Sequence, residues 1–330
     1  MSRINTKKYQ DFLKKNNIEQ PFIFKNIKEG RNNKIIKVIC NNESYIIKHY
    51  QNIKFKNLSN IRREFFFNTF LKRNKINCIP EPIRMNLKEN FALYSFIDGK
   101  KIHKINKNHL IQASDFIKKI NINKEKYYNS KYLRIAVDGI TEFDDHVNNC
   151  LKKIKILNRV KINSSIKKDF SNLLSKKIIP KYNYLIDNKI KIKNRKLKNH
   201  EYIISPSDFG FHNIINKKNK LYFFDFEYAG WDDPIKLICD FFCQPDYKLN
   251  RKQSDIFTDN LLNSIKKQSK MKLMIKYFMP FYRIKWCCII LNEFYYDIRK
   301  RRNHAGINVD EMLNVQLNKS KKYFNYYLND

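Results

Sequence analysis

From Asp225 to Asp240 the sequence reads DFEYAGWDDPIKLICD, five carboxylates against one lysine. The chain as a whole has 330 residues, with 67 Lys and Arg against 31 Asp and Glu and a formal net charge of +36. A local reversal of sign in such a chain calls for a cause. One is a bound cation, since Mg²⁺ takes hard oxygen ligands from one or two carboxylates together with substrate phosphates. Another is helix capping and turn chemistry around Asp232-Asp233-Pro234, and for those residues both readings stand. Asp225 is different. It ends the apolar run Leu221-Tyr222-Phe223-Phe224, where an ionised carboxylate needs a metal or a partner charge. Glu227, two residues on, reads as a second metal contact or as a turn cap.

Glu64 raises the same question on a helix. Residues 58–74 read as helical, and at that spacing Glu64 shares a face with Ile61, Phe67 and Leu71. A carboxylate on an apolar face wants a cation. Glycine adds a geometric clue. Average usage would give roughly 23 in a chain this long, yet there are 6. Glycine retained in so poor a background marks positions where backbone geometry demands it. Gly30, Gly99, Gly210 and Gly230 fall before the first hairpin, at a hinge, and within or beside a compact non-helical stretch. Gly139 and Gly306 read as ordinary turns.

The elements that must position these residues follow from periodicity. Residues 3–17 are helical in character. The β-branched runs 34–40 and 44–50 flank Asn41-Asn42 and predict a hairpin. After the 58–74 helix, Pro80 and Pro82 end the region, and 91–96 (FALYSF) is a further strand. Beyond Gly99 the segments 106–120, 143–159, 165–190, 251–301 and 308–328 read mainly helical. Between them lies an island, 201–232, with short strands at 213–216 and 221–226 joined by a Lys-Asn turn. The expected architecture is α+β and two-lobed. Residues 1–97 form a small antiparallel-sheet lobe, and residues 98–330 a larger, mainly helical one.

The island carries a resemblance. ISPSDFGFHNII followed by LYFFDFEYAGWDDP resembles the catalytic segment of the aminoglycoside phosphotransferase and choline kinase family. That resemblance implies a protein-kinase-like fold, with Asp208 as the catalytic residue. It makes Asn213, five residues later, and Asp225 the ligands of Mg²⁺. In the first lobe, Gly30 resembles the family's phosphate-covering turn, Lys48 its nucleotide-phosphate lysine and Glu64 the helix partner of that lysine. ALYSFIDGKKI matches the hinge, where the adenine of ATP would lie against Phe96 and Ile97; GTP is the other nucleotide the resemblance allows. One position departs from the family: where it has His, two residues before the catalytic Asp, this chain has Pro206. His212 stands on the other side of Asp208. A prolyl residue braces the loop instead by fixing φ. Scarce glycine in the nucleotide loop and the lack of an A-P-E segment after Asp225 set the chain apart from protein kinases.

The expected activity is transfer of the γ-phosphoryl group of ATP or GTP to a hydroxyl of a small acceptor such as a sugar, amino sugar or amino alcohol. The alternative is a kinase-fold binding protein with weak or no catalysis. Acidic residues Glu142, Asp144, Asp145 and Glu293 are candidates for lining a cationic acceptor's pocket. Composition excludes other classes. Hydrophobic residues at 42% and aromatics at 14% are too many for a disordered chain. No apolar run approaches the ~20 residues of a spanning helix, and no signal-peptide core precedes residue 21, so a cytoplasmic protein without membrane insertion is expected. The positive charge comes from 53 Lys and 14 Arg scattered along the chain, the character of A/T-rich codon bias. Nucleic-acid readers favour clustered Arg, so no specific nucleic-acid partner is expected. The seven cysteines lack C-x-x-C spacing and read as buried, reduced thiols.

Overall fold

A computed structural model describes the chain except residues 1–5, 28–32, 42, 52–53, 56–57, 131, 163–164, 189–191, 264–267, 305–307 and 330. The first elements are the helix α1 (Lys7–Lys14) and the strands β1 (Phe22–Ile27), β2 (Lys34–Cys40), β3 (Glu43–His49), β4 (Pro82–Asn86) and β5 (Phe91–Ser95). The strands form one antiparallel sheet in the order β1-β2-β3-β5-β4. Period-two alternation gives this sheet two distinct faces. Ile36, Val38, Ile47 and Leu93 bury one face together with Tyr9 and Leu13 of α1. Lys48, opposite Ile35 and Ala92, belongs to the other, where Tyr50, Tyr94 and Ala92 meet Ile61. That isoleucine comes from α2 (Asn60–Arg73). The stripe expected on α2 is present: Ile61, Glu64, Phe67 and Leu71 are all buried.

The sequence reading named neither β1 nor β4, the two edge strands. Each is half-exposed along its length, so neither shows the apolar density of a central strand. Pro82 starts β4 rather than ending a region, because the first residue of an edge strand need not donate to a ladder. The predicted hairpin β2–β3 forms, with Asn41 at φ 49° in its turn; Asn42 lies outside the described residues.

Both strands expected in the island form, the second ending three residues early at Phe223. Strand β6 (Lys100–Lys101) pairs with β7 (Ile214–Lys217), which pairs with β8 (Lys220–Phe223). Lys218 and Asn219 both take positive φ, 49° and 62°, as a two-residue hairpin of this twist requires. Strand β8 stops at Phe223, so Phe224, Asp225 and Phe226 lie outside it. Helix α3 (Lys107–Ile120) stacks Phe116 on Phe223 at a centroid distance of 4.0 Å.

The chain divides into two compact units, residues 1–137 with 204–231, and residues 138–203 with 232–330. The island therefore shares a unit with the five-stranded sheet, whereas the expected boundary at residue 97 separated them. Contacts that cross residue 97 account for the difference, among them Lys48 with Asp225, Asn33 with Glu227, and Phe223 N with Cys78 O at 2.9 Å.

The second unit is mainly helical. Its largest elements are Asp145–Asn158, Pro234–Cys243, Arg251–Leu262, Gln268–Ile290 and Val309–Tyr327. It also contains three of the five carboxylates of the Asp225–Asp240 stretch, all in structural roles. Asp233 caps the helix that starts at Pro234, accepting from Ile235 N at 2.5 Å. Asp232 pairs with Lys236 at 2.7 Å, and Asp240 with Lys285 at 2.6 Å. For these residues capping and ion pairing, not a cation, explain the local excess of acid. Three of the four acids named as acceptor-pocket candidates are likewise engaged. Asp145 receives the Thr141 and Glu142 N–H groups, Glu142 the Asn194 amide, and Glu293 the Arg302 guanidinium. All seven cysteines are free, and all but Cys78 are buried.

Candidate active site

Lys48 lies at the centre of a buried charge cluster in the first unit. Its Nζ is 2.7 Å from Glu64 Oε2 and 2.6 Å from Asp225 Oδ1. The three residues come from β3, α2 and the segment after β8, so the fold joins positions 16 and 177 residues from Lys48. Burial alone would lower the Lys48 ammonium. The carboxylates of Asp225, Glu64 and Glu227 outweigh it and hold the group well above its ordinary value. Burial pushes the Glu64 carboxyl the other way, up to about 7, against the pull of Lys48. Tyr50 and Tyr94, hydroxyls 2.8 Å apart, line the same region, with Lys48 Nζ 5.1 Å from the Tyr50 ring centre.

Asp225 is one-third exposed at its side chain. Its φ of 68° lies in the left-handed region, which costs a non-glycine residue on the order of 1 kcal/mol or more. Its neighbour supplies the anchorage that maintains it. Phe226 is buried between Phe67 of α2 and Phe116 of α3, with centroids at 5.1 and 6.3 Å.

Glu227, the residue left between two roles, is 3% exposed. Its Oε2 accepts from Asn33 Nδ2 and Asn60 Nδ2, both at 3.1 Å. It links the start of β2, the start of α2 and the Asp225 segment. Asn33 and Asn60 escaped the sequence reading, since nothing local marks them and their partner is 194 or 167 residues away.

Asp208 lies in a tight turn that does not depend on Gly210, one of the glycines marked above as meeting a backbone demand. Gly210 is extended, with φ −172°, and the turning residue is Ser207 at φ 67°. Asp208 N donates to Pro206 O at 3.0 Å, closing a three-residue γ-turn of the rare kind. Ser205 Oγ supports it by accepting from Ser207 N at 3.0 Å. The turn then curls back on Asp208. Asn213 Nδ2 donates to the Asp208 carbonyl at 3.0 Å, and His212 Nε2 lies 3.3 Å from Asp208 Oδ1. His212, set aside on sequence because of its side of Asp208, is therefore a direct neighbour of the carboxylate.

The hairpin β7–β8 brings Asn213 and Asp225 to one end. Ile214 pairs with Phe223, and Phe224 N donates to Asn213 O at 3.2 Å. Asn213 uses its amide nitrogen internally, which leaves Oδ1 as the atom that could meet a cation. One amide oxygen and one carboxylate suit a Mg²⁺ ion that shares its shell with phosphates, and fall short of an all-protein cage. Among the described residues no cluster of three or more His, Cys, Asp or Glu side chains could hold a metal ion. Phe96 and Ile97 follow β5, both half-buried, and Lys37 Nζ sits 3.7 Å from the Phe96 ring centre. Gly30 lies outside the described residues.

Solved structures share this arrangement of elements. A choline kinase from Cryptosporidium parvum Iowa II matches with a TM-score of 0.60 at 14% identity, over 98% of this chain and 97% of that one. A spectinomycin phosphotransferase in complex with ADP and spectinomycin matches with a TM-score of 0.64 at 13% identity, over 98% and 99%. The chain has the fold of the choline kinases and aminoglycoside phosphotransferases. An ethanolamine kinase from Plasmodium vivax shares this kinase-like fold, with a TM-score of 0.59 at 17% identity over 97% and 94%. No family model matches the sequence, and no curated protein does. Among the described residues no helix is long and apolar enough to cross a membrane.

Proposed function

We propose that the protein is a phosphotransferase that moves the γ-phosphoryl group of ATP or GTP to a hydroxyl of a small acceptor. The observation that carries this reading is the Lys48 cluster, an ammonium held between a buried helix carboxylate and a half-open carboxylate at a hairpin end. Phosphoryl transfer asks the protein for positioning and charge neutralisation, with little covalent chemistry of its own. Lys48 holds the α- and β-phosphates, and Glu64 keeps its ammonium in place. Asn213 and Asp225 hold Mg²⁺, which when bound neutralises charge on the phosphates. Asp208 orients the acceptor hydroxyl and takes its proton. The acceptor oxygen then bonds to the γ-phosphorus as the bond from that phosphorus to the bridging oxygen breaks, and the nucleoside diphosphate leaves. Glu227 acts as a link between β2, α2 and the metal-binding segment. The free, buried thiols suit a reducing compartment such as the cytoplasm.

Calorimetry with ATP and GTP, in Mg²⁺ and in EDTA, tests the reading. Affinity should depend on Mg²⁺, and Asp225→Ala should remove the metal-dependent part, because one amide oxygen cannot hold the ion. Equal affinity in Mg²⁺ and EDTA, with the mutant matching wild type, would discard it.

A further inference from the structure

The sheet face that carries Lys48 has a second lysine, and its position bears on which nucleotide binds. Along β3 this face presents Lys48, Ile46 and Ser44 in turn. Lys48 pairs across the sheet with Ile35 and Ala92. Ile46 pairs with Lys37 and Tyr94. Ser44 O accepts from Phe96 N at 3.0 Å. Successive rows on one face lie about 7 Å apart. Lys37 thus stands one row from the phosphate-holding lysine in the direction of Phe96, and its ammonium reaches the Phe96 ring at 3.7 Å. Its neighbours on the face, Ile35, Ile39 and Ile46, are apolar and half-buried. No carboxylate among the described residues lies within ion-pair distance of it.

We propose that Lys37 makes the nucleotide site select a guanine base over adenine. The inference rests on the nucleotide reading above, in which the phosphates lie at Lys48 and the base against Phe96. A base so placed brings its polar edge within reach of an ammonium that has three donors and no acceptor. Guanine presents two acceptors there, O6 and N7. Adenine presents N7 beside the N6 amine, a donor that the ammonium cannot satisfy. The neighbouring ring face keeps the ammonium in place by cation–π attraction, so its orientation precedes binding.

Equilibrium binding of Mg²⁺ complexes of GTP, ATP and ITP to wild type and Lys37→Met tests this. ITP keeps O6 and N7 but lacks the guanine 2-amino group. Wild type should bind GTP and ITP alike, each about tenfold or more tighter than ATP, the discrimination of a well-placed pair of base contacts. Lys37→Met, an apolar chain of similar length, should bring the ratio close to one while thermal unfolding stays unchanged. Equal or tighter ATP binding in wild type overturns the inference alone and leaves the nucleotide site standing. So does a GTP preference that survives Lys37→Met, or ITP behaving like ATP. Failure of all three nucleotides to bind removes the nucleotide reading and this inference with it.

Discussion

Asp208 meets two side chains of its own turn, His212 at its carboxylate and Asn213 at its carbonyl. Replacement by Asn preserves shape and most hydrogen bonds but removes the acceptor for the departing proton. For Asp208→Asn we expect transfer to fall by about 10²–10⁴, the range for a positioned acid–base group. Nucleotide affinity should hold, because in the proposed site Lys48, Asn213 and Asp225 supply the binding groups. Single-turnover transfer to a confirmed acceptor, or Mg²⁺-ATP hydrolysis to water, measured beside nucleotide affinity separates the two effects. Near-wild-type turnover would leave Asp208 a loop brace, and lost affinity would make it structural. The spacing of Asp208, Asn213 and Asp225 was legible because it is local, five residues and then one short hairpin. His212 was not, because which side of the turn it faces depends on the left-handed Ser207, and a serine gives no warning of positive φ.

At the scale of elements, glycine scarcity proved a partial guide. Gly230 N-terminally adjoins Trp231, whose N–H donates to Arg134 O and whose carbonyl accepts from Ala136 N, each at 2.9 Å. A Cβ on Gly230 would lie 2.1 Å from Arg134 O and 2.7 Å from Ala136 N. Both are backbone atoms fixed by that bridge, so the methyl group has no rotamer escape. Gly99 is less confined, since a Cβ there first meets the Ile215 side chain at 3.0 Å. Gly230→Ala should therefore destabilise by at least ~2 kcal/mol, the upper part of the overpacking range, and Gly99→Ala by less. Denaturant unfolding of both variants checks the order, and equal midpoints would contradict it. Gly210 shows the limit of the argument, because its extended φ makes no demand for glycine. The hairpins β2–β3 and β7–β8 were legible from apolar runs around turn residues. The edge strands β1 and β4 were not, since half-exposed strands mix polar and apolar residues. The link from Glu227 to Asn33 and Asn60 was beyond any local pattern.

For the whole molecule the dominant quantity is the net charge of +36, and the structure shows how its two cations are used. Several of the 14 arginines hold partners within the chain. Arg63 NH1 donates to the Ile135 and Ala229 carbonyls. Arg195 and Arg302 pair with Glu201 and Glu293, while Arg283 and Arg299 donate to the Tyr327 and Lys161 carbonyls. Those guanidinium forks already hold partners within the chain, which compete with reading base edges, the task for which arginine geometry is suited. Most of the excess positive charge is lysine, compact ammonium groups dispersed over the surface, which attract any polyanion through counterion release. Retention on heparin and on single- or double-stranded DNA should therefore occur at low salt and weaken steeply as salt rises. Log affinity should be linear in log salt, with no preference among DNA sequences of equal length. Fluorescence anisotropy across a salt series, with heparin as competitor, measures both properties. A preferred sequence whose affinity persists at about 0.5 M salt, where charge-only binding has been lost, would require a base-reading surface that the committed arginines do not provide.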